Sequence, residues 1–480
     1  MRKFDTKVQD LKYKVLRKVA ELAWKDQLLD NLLSIPQMIV PGNTPTMRCC
    51  VYKERAIISE RVKLAMGGDK GNPNVIEVIG IACDDCPMGG YEVTGACRGC
   101  LAHRCEDACK RGAINFDHHY TASIDKSKCI ECGLCAKVCP YSAIINFRRP
   151  CEQSCKAKAI SVNGSVGAQI DASKCIWCGA CVYQCPWGAV MDKSYILSAI
   201  DILKQSDGNK KYKVFAVAAP SVSSQFNYAK LGQVISGLKA LGFFEVIEGA
   251  LGADMVAYAE AAELHEKGFL TSSCCPAFVQ FIKNQFPDLI EFVSHNLPPG
   301  ALISKKVKES YPDSKIIFIG PCTAKKMEFQ REEVKPYIDS VITFEELAAL
   351  FDSREIDISA LPEEALNSAS YFGRIFARSG GLSSAVSQGL KEQGFDNFDF
   401  NPVPCDGIEA CRSALLKKSK NVLPGNFIEG MACVDGCIGG AGCLTHGPKS
   451  KSDVDRYGKE AIDRTISDAI SMRSLPTVND

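Results

Sequence analysis

The sequence predicts an α/β domain of mainly parallel sheet flanked by helices, preceded by a cysteine-rich region of small α+β metal-cluster units. Three observations carry this. Sixteen of the 26 cysteines lie within residues 81–190, many at two- and three-residue gaps. The same stretch repeats a short unit ending in RGAI at 111–114, YSAI at 141–144, KAKAI at 156–160 and WGAV at 187–190. Past the polar KQSDGNKK at 204–211 the pattern changes: VFAVAAP (214–220), FFEVIEGA (243–250) and KIIFIGPC (315–322) read as buried strands. Helical stretches such as the Ala- and Glu-rich 254–267 separate them, the alternation expected of a parallel sheet covered by helices. Chemistry in such sheets sits beyond the carboxyl ends of the strands. Both SSCC at 272–275 and GPC at 320–322 fall at such ends.

Composition narrows the class. A hydrophobic fraction of 46% and a charged fraction of 24% belong to a globular chain with a large core. Lys and Arg total 57 against 56 Asp and Glu, so no global field draws the protein to nucleic acid or an anionic membrane. The charged opening MRKFDTKVQDLKYKVLRKVAELAW lacks the apolar core of a secretory signal, and no stretch reaches the twenty or so apolar residues that span a bilayer. A cytoplasmic protein with no membrane contact is expected. Disulfide-dense chains are mostly short and secreted, so the clustered cysteines of this long chain point to metal ligation. Residues 1–80, with a helical opening, a Pro41-Gly42 break and Cys49-Cys50, carry no diagnostic motif. The cluster region is placed at 81–193.

Cys129, Cys132, Cys135 and Cys139-Pro140 have the spacing C-x2-C-x2-C-x3-C-P, and Cys175, Cys178, Cys181 and Cys185-Pro186 repeat it. These resemble the halves of bacterial two-cluster ferredoxins, in which three thiolates of a tight loop hold one cubane and the fourth reaches the other. Two altered halves precede them: Cys97, Cys100, Cys105 and Cys109, then Cys151 and Cys155. The 20-position interval from Cys109 to Cys129 recurs from Cys155 to Cys175, so two tandem ferredoxin-like units are expected. The crossing rule joins Cys109 to Cys129, Cys132 and Cys135; Cys155 to Cys175, Cys178 and Cys181; and Cys139 to Cys97, Cys100 and Cys105. Cys151 and Cys185 then need two further ligands, which Cys83 and Cys86 can supply. The alternative pairs the two perfect motifs with each other and leaves the other cysteines to one cluster or none. His103 is an alternative ligand in the first half-motif. Two to four accessory [4Fe-4S] clusters follow, a wire for single electrons.

What stands at its end is carried by three segments: Thr271-Ser-Ser-Cys-Cys-Pro-Ala-Phe278, Gly320-Pro-Cys-Thr-Ala-Lys-Lys-Met-Glu328 and Glu429-Gly-Met-Ala-Cys-Val-Asp-Gly-Cys-Ile-Gly-Gly440. Together they resemble the three signature loops of the [FeFe]-hydrogenases, over about residues 210–448, with 449–480 left as a tail. The resemblance implies two lobes of mainly parallel sheet around an H-cluster, a [4Fe-4S] cubane bridged to a diiron unit with CO, cyanide and azadithiolate. It makes Cys275, Cys322, Cys433 and Cys437 the cubane ligands, with Cys437 bridging to the diiron unit. Lys325 would donate to one cyanide, a charge-assisted hydrogen bond. Ala219-Pro220-Ser221 would contact the other, and Met431 matches a pocket methionine.

The resemblance also assigns Cys274 as the terminal proton-relay thiol, followed outward by Glu260, Ser294 and Glu263. A weakly acidic thiol can give and regain a proton, which serine does poorly. Glu260 and Glu263 stand three apart on a predicted helix, hence on one face. The chain departs from the family at Gly320, where well-known members carry methionine, at Gly300, where many have glutamine, and at Phe278, where tryptophan is usual. Cys405, Cys411 and Cys443 read as buried thiols. The implied activity is interconversion of H2 with protons and electrons, with ferredoxin or a similar low-potential carrier as partner and dedicated maturation proteins building the diiron unit. A hydrogen sensor with the same cluster is the alternative, and an iron–sulfur assembly factor of the hydrogenase-like family a third reading.

Overall fold

Eight short strands close the cysteine-rich region: β1 (Ile76–Val78), β2 (Gly90–Val93), β3 (Ile114–Phe116), β4 (Ala122–Ile124), β5 (Ile144–Phe147), β6 (Ile160–Asn163), β7 (Gly167–Ile170) and β8 (Val190–Asp192). The structure is a computed structural model, which describes residues 4–471 apart from Asp85, Pro87, Met88 and 164–166. β2 pairs with β5 and β3 with β4, while β1 pairs with β8 and β6 with β7, all antiparallel. The first unit is therefore threaded into the second, between β1 and β6. This replaces the tandem arrangement expected from the cysteine intervals and draws residues 76–78 into a region placed at 81–193. The intervals report only how ligands are spaced along the chain; an antiparallel pair can close over any length of intervening chain.

The segment before β1 belongs to the core of the large domain. Helix Lys7–Trp24, whose first turn is capped by the Thr6 hydroxyl, buries Val15, Leu16 and Val19 in one cluster with Phe344 and Leu347. It lies along helix Phe344–Ser353, where Tyr13 donates to Asp352 and Trp24 Nε1 to Ser353 Oγ at 3.1 Å. A buried charge network pins the same helix to both neighbouring regions. Lys12 Nζ reaches Asp192 at 2.6 Å and Glu345 at 2.5 Å, and Lys326 Nζ reaches Asp192 at 2.8 Å and Glu346 at 2.9 Å. Burial would raise the Asp192 carboxyl, but Lys12 and Lys326 hold it well below the usual range. Asp192 ends β8 and Lys326 lies in the second signature loop, so this pin ties the cluster units to the candidate site. Removing one partner of a buried pair strands the other charge. Asp192→Asn should therefore lower stability by about 3–5 kcal/mol, read as a shifted denaturant midpoint.

The large domain holds two parallel sheets. β9 (Val214–Ala218), β10 (Glu245–Glu248), β12 (Lys315–Gly320) and β13 (Ser340–Thr343) form a four-stranded sheet in the order β10-β9-β12-β13; β11 (Leu270–Thr271), β14 (Pro402–Asp406) and β15 (Phe427–Met431) form a second, in the order β11-β15-β14. Every residue of β9, β13 and β15 is buried, the continuous apolar pattern of strands covered on both faces. Parallel pairing points all strands of a sheet the same way. The segments leaving β9, β11, β12 and β15 begin at Ala219, Ser272, Pro321 and Ala432, so all the candidate ligand loops leave carboxyl ends. Residues 450–471 are not a loose tail. Tyr457, 4% exposed, shares Glu248 with Arg374, whose Nε lies 2.9 Å from that carboxylate; residues 472–480 of the expected tail lie outside the described residues.

Candidate cluster and proton-relay site

Cys275 caps the N-terminus of helix Pro276–Gln285, where Pro276 sets the first helical φ and ends β11's extension sharply. Its sulfur is the common neighbour of the other candidate ligands: the charges of Cys322, Cys433 and Cys437 each feel Cys275 and raise one another. Burial is the largest cause, pushing Cys322 to about 11 and Cys437 to about 12. All four keep partial accessibility although protein surrounds them, which sets them on the wall of an internal space. They are spread around that space: among the described residues no three His, Cys, Asp or Glu side chains come close enough to hold a single metal ion. An iron–sulfur cluster stands between the thiolates that bind it. Binding would deprotonate thiols that burial holds neutral.

Polar groups around this space fit an anionic, ligand-rich group. Ser221 Oγ, fully buried at the turn after β9, has no hydrogen-bond partner among the described residues, and a buried hydroxyl without one costs free energy. Lys325 Nζ pairs with Glu328 Oε2 at 2.5 Å, and its charge also bears on Cys322 and Cys274. Met431, 1% exposed, ends β15, and Ala219-Pro220 carries the chain from β9 to Ser221. A Cβ on Gly440 would stand 2.6 Å from the Pro321 carbonyl, so glycine lets the third loop close onto the second. The residues present thus fit the H-cluster that the resemblance implies.

The departures from the family find a structural answer that the sequence did not signal. Cβ atoms on Gly300 and Gly320 would stand 2.7 and 2.8 Å from the ring of Phe318, which occupies the volume that side chains at both positions would need. Phe278 is fully buried against Gly430. Strand periodicity marks Phe318 only as a core residue.

Cys274 is half-buried beside Glu260, and the desolvation of its sulfur followed by that carboxyl drives its thiol well above the usual value. Glu260, on helix Gly249–Lys267, is buried and accepts from the Ser273 N–H at 3.3 Å through Oε1, and the Ser294 hydroxyl also bears on its carboxyl. One turn on, Glu263 Oε2 accepts from Ser294 Oγ at 3.0 Å and from Asn296 Nδ2 at 3.1 Å. Its Oε1 lies 2.7 Å from Lys267 Nζ and 2.9 Å from His295 Nδ1 at the surface. Glu260 and Ser294 are buried, Cys274 and Glu263 half-buried, and Lys267 and His295 beside Glu263 are exposed. Ser273, His295 and Asn296 complete the set and were legible only as neighbours of assigned residues.

The two carboxyls are pushed apart. Burial raises Glu260 from 4.5 to about 8, whereas for Glu263 the hydrogen bonds from Lys267, His295 and Ser294 outweigh burial and lower it. Near neutral pH one holds a proton and the other can receive one. Because the folded value of Glu260 lies above the unfolded one, the native state keeps a proton that the unfolded chain releases between about pH 4.5 and 8. Stability from this group is full below that window and falls as pH rises through it. Glu260→Gln should abolish that fall: between pH 5 and pH 8 the variant should gain on the order of a few kcal/mol of unfolding free energy relative to wild type, read from denaturant midpoints at the two pH values.

The accessory cysteines gather in four groups. One cavity is lined by Cys97, Cys100, Cys105 and Cys139, another by Cys109, Cys129, Cys132 and Cys135. The charges of Cys155 and Cys175 bear on Cys178 and Cys181 and raise their thiols, and those of Cys83 and Cys185 do the same to Cys86 and Cys151. The repeats explain the local geometry. Gly112, Ser142, Lys158 and Gly188 all take left-handed φ, 49–59°, and turn the next N–H onto the preceding cysteine. Ala113, Ala143, Ala159 and Ala189 N–H thereby donate to Cys109, Cys139, Cys155 and Cys185 Sγ at 3.2–3.4 Å. His103 does not line the first cavity; its ring stacks on Phe116 at 4.0 Å. Cys178 faces Cys275 and Cys433, and Thr323 Oγ1 donates to the Trp177 carbonyl at 2.6 Å, docking this loop on the second signature loop. Cys405 and Cys411 are buried thiols that interact with each other, and Cys443 is buried.

Comparisons with known proteins agree with this geometry. Residues 212–441 match the family model described as iron only hydrogenase large subunit, C-terminal domain; residues 122–145 match a 4Fe-4S binding domain and 145–196 the LdpA Fe-S cluster-binding domain. Iron hydrogenase 1 of Clostridium pasteurianum is 27% identical over 313 residues, 54% of this chain and 54% of that protein, so the chain spans about half the length of that relative. The cytosolic Fe-S cluster assembly factor NAR1 of Botryotinia fuckeliana is 34% identical over 25% of each chain. A solved [FeFe]-hydrogenase, in a study of oxygen inactivation of the H cluster, shares the fold with a TM-score of 0.50 and 21% identity, covering 58% of this chain and 93% of that one. Family model and relatives converge on the domain whose strand ends carry Cys275, Cys322, Cys433 and Cys437, and the solved structure shares its fold: residues 212–441 form a domain of the iron-only hydrogenase family.

Proposed function

We propose that this protein interconverts H2 with protons and electrons at an H-cluster held by Cys275, Cys322, Cys433 and Cys437. The observation that carries this reading is half-buried Cys274 set against the buried Glu260 beside those ligands, with Ser294 and Glu263 leading on toward exposed Lys267 and His295. An electron-transfer or scaffold protein has no use for a proton path ending at its cluster. When bound, the H-cluster supplies the redox and Lewis-acid chemistry at which hydrogen is formed or split. The chain's own residues do the rest. Cys274 holds a proton at Sγ and exchanges it with Glu260; Ser294 carries it on to Glu263, whose ion pairs with Lys267 and His295 open to water. Lys325 and Ser221 orient the anionic ligands of the diiron unit, and the surrounding apolar packing keeps water out.

In this reading four accessory [4Fe-4S] clusters carry single electrons between the site and ferredoxin or a similar low-potential carrier. The group at Cys155, Cys175, Cys178 and Cys181 is nearest the site. Maturation proteins would build the diiron unit. No helix among the described residues is long and apolar enough to cross a membrane, in keeping with a cytoplasmic setting. The similarity to NAR1 favours one second reading, an iron–sulfur assembly factor without a diiron unit. Infrared spectra of anaerobically matured protein, paired with hydrogen evolution from reduced viologen, separate the readings. Metal-bound CO and cyanide bands with turnover are expected. Bands with little turnover would favour a sensor, and no bands despite full cubane loading and verified maturation would favour the assembly factor.

A further inference from the structure

Cations stand at several of the accessory groups but differ in burial: Arg98 and Arg104 at the Cys97 cavity and Lys110 and Arg111 at the Cys109 cavity are exposed to solvent. Around Cys83, Cys86, Cys151 and Cys185 the structure places three guanidinium groups. Arg149, 2% exposed, directs Nη1 to Cys83 Sγ at 3.1 Å and Nη2 to the Cys86 carbonyl at 3.4 Å. Arg61, also 2% exposed, donates through Nη2 to the Gly188 carbonyl at 2.6 Å, and Arg48 donates to the Trp187 carbonyl at 2.9 Å, both just past Cys185. Burial and the neighbouring Arg48 pull Arg61 down to about 10, while Cys185 opposes that fall; the site favours negative charge. Glu152, half-buried beside Cys86, offsets part of it. Cys83 Sγ also accepts from Ala168 N–H at 3.4 Å.

We propose that Arg149 gives the cluster at Cys83, Cys86, Cys151 and Cys185 the highest reduction potential of the accessory centres, making it the point where an electron rests. The inference builds on the reading of four accessory clusters. One-electron reduction adds a negative charge to the cluster, and a buried cation touching a ligand sulfur stabilises the reduced form more than the oxidised one. The place in the relay gives this a use. Cys151 bears on Cys181 of the group next to the active site, so this centre stands one step behind it. Hydrogen chemistry consumes electrons in pairs while a one-electron carrier delivers them singly. A centre that holds one electron a step away lets the second follow without waiting for another encounter.

The test is an EPR-monitored redox titration of the anaerobically reconstituted full chain, with iron and sulfide analysis. In wild type one accessory centre should reduce above the others, and Cys151→Ser should perturb that same signal. Arg149→Gln should lower its reduction equilibrium at least tenfold, about 59 mV for one electron, and leave the other centres in place. Arg149→Lys, which keeps the charge, should retain most of the wild-type value and decides the matter should the glutamine variant lose the cluster. An unmoved signal in Arg149→Gln, or an equal shift of all centres, overturns the assignment to Arg149. Iron analysis finding fewer than four accessory cubanes in wild type overturns the four-cluster reading, and the inference with it.

Discussion

Cys274→Ser should leave both the cubanes and the CO and cyanide bands in place while cutting hydrogen turnover by about two or more orders of magnitude. The substitution barely changes volume, and Cys274 is not among the four residues grouped as ligands, so loading should survive. What changes is acidity. A thiol driven upward by burial and by Glu260 still lies within reach of that carboxyl, itself raised to about 8, so a proton can pass in either direction. A hydroxyl is far too weak an acid to share that exchange. Turnover at the wild-type rate in a fully loaded Cys274→Ser protein would remove Cys274 from the relay. A loss that followed loss of infrared bands would instead make the residue part of the cluster's support.

Cys437→Ala should abolish the diiron unit outright, with its infrared bands and all hydrogen activity, while the accessory clusters still titrate. Cys437 opens the short 3-10 turn Cys437–Gly439, which sits beneath the Gly440–Pro321 closure. Its sulfur feels Cys322, Cys275 and Lys325 together. Cys443, six residues on, does not replace it: that thiol is fully buried, donating to the Ile438 carbonyl at 3.4 Å. Iron analysis should fall by the diiron unit and, if the cubane also fails, by its irons too. Persistent CO and cyanide bands in this variant would exclude Cys437 as the bridging ligand.

Much of this protein was legible in the order of its residues, because cluster binding is a local matter. Three thiolates at two-residue gaps can reach one cubane only by wrapping a tight loop, and the residue before each Ala113, Ala143, Ala159 and Ala189 turns an N–H onto the nearby cysteine. The strands β9 and β12 announced themselves by long apolar runs, and β10 by the apolar pair Val246-Ile247 within FFEVIEGA, since helices cover both faces of a parallel sheet. Where a strand is short or lies at an edge the signal faded: β11 is two residues long, and β14 is mostly exposed.

What the chain order could not decide were the contacts made across long separations. The threading of one cluster unit into the other depends on β1 meeting β8, more than a hundred residues later. The role of the first eighty residues depends on Lys12 finding Asp192 and Glu345, and the tail's on Tyr457 finding Glu248. Arg149 beside Cys83, and Phe318 in the space left by Gly300 and Gly320, carry no motif at all. The sequence by itself determined which residues can bind iron and in what local shape, since spacing along a short loop sets reach. Only the tertiary structure decided which charges and rings surround each site, because burial brings together residues whose separation in the chain leaves no trace in their pattern.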